Sequence, residues 1–296
     1  MIPFIGREDI VKLLTIDDCI AAVERAFRDG GEAASLGLGH FHVKAAIAGG
    51  RIAVKVNGNF PENPAKHGLP TIQGVIVLAD ADKGTPLAIL DSIEITALRT
   101  AAATAVAAKY LARQDAKSVT IAGCGIQGHA QLAAIRRVRA IERVFAVDVD
   151  HDKAAALGEV RSLDDAARES DIIVTCTTST APILRDGHLH PGLFIAAVGA
   201  DNPRKSEIDP AALARTNVVV DVLEQAATMG DLHHAIDAGV MTRQDVFGSL
   251  ADVIRGRRRT TEDEIFVFDS TGTALQDVAV ASLAYDRCRT SSQLVS

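Results

Sequence analysis

Tryptophan is absent from this chain, and aromatic side chains of every kind make up only 4% of its 296 residues. Its cores must therefore be built from aliphatic residues and alanine, which lift the hydrophobic share to 48%. Cysteine is scarce as well: Cys19, Cys124, Cys176 and Cys288 stand far apart, with no Cys-x-x-Cys pair. That spacing argues against a disulfide framework or a structural zinc site and suits a reducing compartment. An excess of positive charge is also missing. The net charge of −7 argues against nucleic acid or an anionic membrane as partner. The one dense basic run, Arg255 with Arg257, Arg258 and Arg259, reads as a solvated loop. No uncharged apolar run approaches bilayer-spanning length, and Met1-Ile-Pro-Phe-Ile-Gly6 lacks the regions of a signal peptide. A soluble cytoplasmic protein is expected, and the length suggests two domains.

What is present is led by Val119-Thr-Ile-Ala-Gly-Cys-Gly-Ile-Gln-Gly-His-Ala-Gln131. It reads as a short apolar strand, a Gly-x-Gly-x-x-Gly turn (Gly123, Gly125, Gly128) and the start of a helix. In a dinucleotide-binding fold the first glycine makes the tight turn and the second lets backbone approach the pyrophosphate. The third lets the helix pack on the strand, so free N–H groups at the helix start face the phosphates. Three glycines alone are weak evidence. Here a second strand follows, Arg143-Val-Phe-Ala-Val-Asp148, and its closing acid suits the ribose hydroxyls of NAD and repels the extra phosphate of NADP.

Thr15, with Asp18 in the capping-box position, opens a helix that Gly30-Gly31 closes. Strands are expected at 40–47, 51–57, 71–79 and 86–90, with Asp80-Ala-Asp-Lys-Gly84 as a hairpin turn. A helix over 91–112 follows, then strands at 118–122, 143–148, 171–176, 193–198, 217–221 and 265–269 alternating with helices. That alternation predicts an α/β fold with a Rossmann-type doubly wound parallel sheet. The final helix, from Gly272 onward, is expected to return to the amino-terminal part. The division is then 1–113 with 272–296, a discontinuous α+β domain, and 114–271, the nucleotide-binding domain.

Charges stand out where the pattern expects none. Arg99 is the only charge from Ile95 to Ala108, on a helix apolar on every face and so buried. A buried guanidinium needs an anion, either an internal partner such as Glu94 or Asp91, or a bound carboxylate or phosphate. Lys55 shares a strand face with Ala53 and Asn57, where a lone lysine more often points to solvent. Asp201 follows the apolar strand Phe194–Gly199 at the carboxyl edge of the sheet, placed to exchange protons or merely to cap a turn. His233 and His234, with Asp231, invite a metal reading, but adjacent helical histidines point in different directions; no metal site is expected. Cys124 reads as a packing residue, and His129 has no evident base partner.

Several stretches together resemble the ornithine cyclodeaminase/mu-crystallin family: Lys55–Asn63, Leu69–Gly74, Asp91 to Ala102, Gly123–Gly128, Gly199–Glu207 and Asp269–Gly272. The resemblance spans nearly the whole chain and implies a nicotinamide-binding domain beside a substrate and dimerisation domain, in a homodimer. It implies that Lys55 and Arg99 hold a substrate carboxylate and that Asp201 is the acid/base. Thr71, Arg99, Ile126, Gln127, Asp148, Thr177, Lys205 and Ser270 then fall near the cofactor with the three glycines. The implied activity is hydride transfer, with NADH preferred over NADPH, at the Cα of a small amino acid or cyclic imino acid. Ornithine cyclodeamination and a non-catalytic, crystallin-like nucleotide binder are the alternatives. Two departures stand out. The stretch between Asp150 and Asp171 is short for the family, which suggests a trimmed helix–strand element. Where relatives often carry an Arg or Glu touching substrate, this chain has His42, with Lys44 nearby.

Overall fold

The computed structural model describes residues 2–38, 41–60 and 62–293. Residue 40 of the expected 40–47 strand, Pro61 in the loop after Phe60, and residues 294–296 of the last helix lie outside that set. The chain divides into two compact units, Met1–Ala102 with Thr273–Ser296, and Ala103–Gly272. The division falls inside the helix Ser92–Leu111 rather than at the expected residue 113. The far half of that helix is tied to the second unit's own residues: Arg139 donates to the Ala108 and Ala112 carbonyls, and Arg259 to that of Leu111.

The first unit is a mixed sheet: β1 (Phe4–Ile5), β2 (Glu32–Leu38), β3 (Phe41–Ala48), β4 (Arg51–Asn59), β5 (Ile72–Asp80) and β6 (Pro86–Asp91). Its order is β1-β6-β5-β4-β3-β2, antiparallel except for β1 with β6. The expected hairpin turn joins β5 to β6, with Asp80 Oδ1 accepting from the amides of Asp82 and Lys83. β2 has no sequence signature, being rich in Ala, Ser and Gly. It forms because β3 offers an edge along its whole length, so context overrides propensity.

One helix, Ala274–Gln293, covers one face of this sheet, and a second packs on that helix. Ile16–Asp29 starts at Thr15, whose side chain accepts from the Asp18 amide, and it packs on Ala274–Gln293, which crosses β3 and β4. Ala53 and Lys55 are buried beneath that cover. Ile52, Val54 and Val56 lie on the other face and are only half-buried. The alternation of β4 is as the sequence suggests, but the lysine face is the inner one. In register with Val54 and Val56, the outer face presents Val75, Val77, Ile89, Phe4 and Leu36, all exposed. A contiguous apolar sheet face of this kind marks an interaction surface.

The second unit is an all-parallel sheet of eight strands: β7 (Ser118–Ala122), β8 (Arg143–Val147), β9 (Glu159–Val160), β10 (Ile172–Thr175), β11 (Phe194–Ala197), β12 (Asn217–Val220), β13 (Gly248–Ser249) and β14 (Phe266–Asp269). The order is β13-β12-β14-β11-β10-β7-β8-β9, with helices in the connections, which is the Rossmann-type doubly wound arrangement. Strands β7, β10, β11 and β14 are wholly buried, as central parallel strands must be. The chain leaves β7 toward β8 on one side and later takes up β10 on the other, so the glycine turn after β7 sits at the topological switch point. The stretch between Asp150 and Asp171, where a trimmed helix–strand element is expected, is not bare loop. It keeps the helix His151–Leu157, β9 and the helix Leu163–Arg168, capped by Asp150 and Ser162.

Candidate active site

In the second unit the parallel strands bring several of the sequence-selected residues to one edge. Gly123 adopts φ 96°, a backbone that disfavours any side chain, and its amide donates to the Val147 carbonyl. At Gly128 a Cβ would lie 2.3 Å from the Gly123 carbonyl oxygen, so only glycine lets the helix Ile126–Val138 approach. A Cβ at Gly125 would meet nothing within 4 Å, which leaves that backbone open to a ligand. Ile126 is 61% exposed beside it, and Gln127 Nε2 is buried without a hydrogen-bond partner. Asp148 Oδ2 accepts from the Cys124 amide at 2.6 Å, and Oδ1 from the Asp150 amide. The acid after β8 is thus locked against the glycine turn. These features fit the diphosphate and ribose of a dinucleotide.

Thr177 follows β10, Asp201 and Lys205 follow β11, and Ser270 follows β14, all at the same carboxyl edge. Ser270 Oγ is buried with no partner. Asp201 is exposed, and Lys205 Nζ and Asn202 Nδ2 both donate to its Oδ1, at 2.7 and 3.2 Å.

Glu207 was not singled out from the sequence, yet it braces this edge. Wholly buried, it accepts from Thr177 N and Oγ1 on one oxygen, and from Thr175 Oγ1 and Gly199 N on the other. Burial, with the nearby Asp231 carboxyl, pushes Glu207 up to about 7, against the pull of the Thr177 and Thr175 donors. Asp231 Oδ1 in turn accepts from the Glu207 and Ile208 amides. Asp269 accepts from the Leu232 amide, and burial together with Asp231 raises it well above the carboxylate range. Asp231 thus faces inward, His234 shares a hydrogen bond with the Lys205 carbonyl, and His233 lies against Asp237. Among the described residues, no group of three His, Cys, Asp or Glu side chains is placed to hold a metal ion.

In the first unit, Lys55 and Arg99 come together, and the residue that joins them is Asp277. Lys55 Nζ donates to Asp277 Oδ1 at 2.7 Å. Arg99 Nε lies 3.1 Å from the same oxygen, an ion-pair contact without hydrogen-bond geometry. Arg99 Nη1 donates to Gln276 Oε1 at 2.5 Å. Neither Glu94 nor Asp91 answers Arg99: Glu94 pairs with Arg7, and Asp91 accepts from the Ile93 amide. All three charged groups are buried, with relative exposures of 3% (Lys55), 6% (Arg99) and 1% (Asp277). Burial, joined by the Arg99 and Lys44 charges, lowers the Lys55 ammonium to about 7 against the attraction of Asp277. Burial pushes Asp277 upward, but Lys55 and Arg99 overcome it and hold the carboxyl below its ordinary value.

A polar chain extends the cluster. Lys55 also reaches Thr96, which donates to the Ser92 carbonyl, while Ser92 Oγ donates to Asn57. Asp277 Oδ2, Gln276 Nε2 and Arg99 Nε are buried without hydrogen-bond partners, the pattern of a pocket wall that meets a polar ligand. Lys44 is half-buried on the same sheet face, whereas His42 at the strand's start is exposed. Thr71 lies in this unit too, just before β5, and its carbonyl accepts from Phe60. Asp277 had a readable signal: it is the only charge from Ala274 to Tyr285, the mirror of Arg99 on its own apolar helix.

Known proteins resemble the chain over its full length. An archaeal alanine dehydrogenase, solved as a dimer with bound NAD, superposes with a TM-score of 0.93 at 35% identity, covering 98% of this chain and 97% of that one. The Delta(1)-pyrroline-2-carboxylate reductase of Thermococcus litoralis, in complex with NADH and L-proline, gives 0.91 at 30% identity and 98% coverage of both chains. The iminosuccinate reductase of Paracoccus denitrificans is 35% identical over 305 residues, covering 94% of this chain and 93% of its own. The family model of the ornithine cyclodeaminase/mu-crystallin family matches residues 4–292, and the chain belongs to that family.

Proposed function

We propose that this protein is an NAD-dependent oxidoreductase that acts at the Cα of an amino acid, reducing the C=N bond of an α-imino acid. The observation that carries the reading is the buried Lys55–Asp277–Arg99 cluster, two cations sharing one carboxylate oxygen beside unsatisfied polar atoms, in a chain of this family. Lys55 and Arg99 hold the substrate carboxylate, Arg99 through its planar fork. Asp277 fixes both cations and favours the protonated form of Lys55. Holding the carboxylate orients the planar C=N group, and such orientation is a large part of the catalytic gain. Asp201 exchanges the proton at the substrate nitrogen. Lys205 and Asn202 anchor its Oδ1, which leaves Oδ2 for that contact.

Gly123, Gly125, Ile126, Gln127, Gly128, Asp148, Thr177, Lys205 and Ser270, with Thr71 and Arg99, hold the nicotinamide dinucleotide. When bound, that cofactor supplies the hydride. Asp148 favours NADH over NADPH by bonding ribose hydroxyls and repelling a 2′-phosphate. The unit 103–272 is the nucleotide domain, and the unit 1–102 with 273–296 is the substrate and dimerisation domain. The protein works as a cytoplasmic homodimer through the exposed apolar face around Val75, Val77 and Ile89. Among the described residues, no helix is long and apolar enough to cross a membrane.

A two-substrate assay with purified protein tests the reading. NADH consumption with pyrroline-2-carboxylate or an open-chain imino acid is expected. Ammonia release from ornithine without net NADH consumption would point instead to cyclodeamination. Lys44 speaks against that outcome, since a cation beside Lys55 is a poor host for a second substrate ammonium.

A further inference from the structure

Gly199 and Glu207 stand eight positions apart and close a loop on itself, the Gly199 amide donating to Glu207 Oε2 at 2.8 Å. A Cβ at Gly199 would collide with the Glu207 carboxyl group, so glycine lets the two sides of this neck meet. Inside the loop lie Asp201 and Lys205, joined by their own ion pair at 2.7 Å. The Gly199 carbonyl accepts from the Asp201 amide at 3.0 Å. The residue that Glu207 grips through its N–H therefore holds Asp201 through its C=O.

The other oxygen of the same carboxylate reaches the end of the adjacent strand, β10. Glu207 Oε1 accepts from Thr177 N at 2.7 Å and from Thr177 Oγ1 at 2.8 Å. Thr177 Oγ1 accepts in turn from the Ser179 amide at 3.1 Å. Its one proton is thus committed to Glu207, and a lone pair is left for a ligand. Each carboxylate oxygen faces one backbone N–H, a donor that cannot turn round, and one threonine hydroxyl, which can. Only the ionised acid satisfies all four donors. A proton on either oxygen has to go to a hydroxyl and reverse it.

Resting on the reductase reading, which gives Asp201 and Thr177 their roles, we infer that Glu207 is a positioning residue for the reaction. One ionised carboxylate fixes both the loop that presents Asp201 and the hydroxyl that meets the dinucleotide. It thereby sets the spacing between the proton-exchanging acid and the cofactor, where an error of about 1 Å can cost about a hundredfold in rate. The charge facing Glu207 comes from the helix Asp231–Asp237: Asp231 repels it, while Asp231 Oδ1 holds the Glu207 amide. Cys176, beside Thr177, stays a neutral thiol because burial pushes it well above its ordinary value. Burial and Asp231 together bring Glu207 to about 7, so the clasp changes state near neutrality.

Fluorescence titration with NADH reads the cofactor side of the clasp. Wild-type affinity is expected to weaken at least threefold from pH 8.5 to pH 6, as Glu207 takes up its proton. Glu207→Gln, studied below its unfolding midpoint, should bind NADH at least fivefold more weakly at pH 8.5 and lose that pH dependence. Turnover reads the Asp201 side: kcat with pyrroline-2-carboxylate should fall at least tenfold in the variant at saturating NADH. A wild-type affinity flat from pH 6 to 8.5 would overturn the proposal. So would a variant that loses stability while its kcat and NADH affinity stay within twofold of the wild type. A wild type with the pH-dependent affinity but no NADH consumption with any α-imino acid would refute the reductase reading and leave the clasp on Thr177 standing.

Discussion

Lys55 Nζ stands 2.7 Å from Asp277 Oδ1, although 222 positions separate the two residues along the chain. Each is the only charge in the buried part of its own element, and Asp277 answers both Lys55 and Arg99. Removing one partner of a buried pair typically costs about 3–5 kcal/mol, because the remaining charge is left uncompensated. Asp277→Asn is therefore expected to lower stability by about 3 kcal/mol near pH 6. The loss should shrink by pH 9, since Lys55 can shed its proton whereas Arg99 cannot. Urea unfolding at the two pH values measures this, and a pH-independent loss would show that Lys55 does not titrate with the pair.

The depressed proton affinity of Lys55 has a functional sign as well. Lysine attracts a carboxylate only when protonated, and Lys55 is lowered to about 7, chiefly by burial. Substrate capture should be full below that pH and fall as pH rises through it. A profile of kcat/KM is expected to decline above about pH 7, and Lys55→Arg should move the decline to higher pH by keeping the charge. A flat profile from pH 6 to 9 would count against Lys55 as a carboxylate ligand.

Asp148 accepts from the Cys124 amide of the glycine turn, so its carboxylate is held where the ribose reading needs it. Asp148→Ser should raise the dissociation constant for NADH relative to that for NADPH by about tenfold, equal to about 1.4 kcal/mol. Nucleotide fluorescence titration reads the ratio. An unchanged ratio would remove Asp148 from the ribose.

Glu207 accepts four hydrogen bonds, two on each oxygen. A glutamine there presents an amide to donors on one side, leaving at least one backbone N–H unmatched at a cost of about 1–3 kcal/mol. Glu207→Gln should show that loss in urea unfolding at pH 8. The native acid, raised to about 7 by burial from an ordinary 4.5 when unfolded, binds a proton more readily folded than unfolded. Its titration therefore favours the fold at low pH and withdraws that support as pH rises through about 7. Stability in the wild type should decline over that window more than in the variant.

Much of this was readable from the residues, for physical reasons. The glycine spacing, the largely apolar strands from 118 onward and the acid at 148 obey local rules, and the second unit follows them closely. β2 was not legible because its composition is not that of a strand; the β3 edge makes it one. The burial of Lys55 was hidden because alternation reveals two faces without saying which is inside. Its partner lies on a helix contributed by the far end of the chain. Glu207 and Asp231 were hidden for a related reason: a buried carboxylate is recognised by the donors around it, and those come from several strands.

The central claim is that the buried cations of the first unit hold the substrate's carboxylate, and Lys55→Met tests it most directly. The substitution removes the charge while keeping the length and apolar stem of the side chain. Turnover of an α-imino acid should fall at least a thousandfold, with the dissociation constant for NADH changed by less than twofold. Turnover within a few-fold of the wild type, in a variant that still folds and binds NADH, would contradict the account.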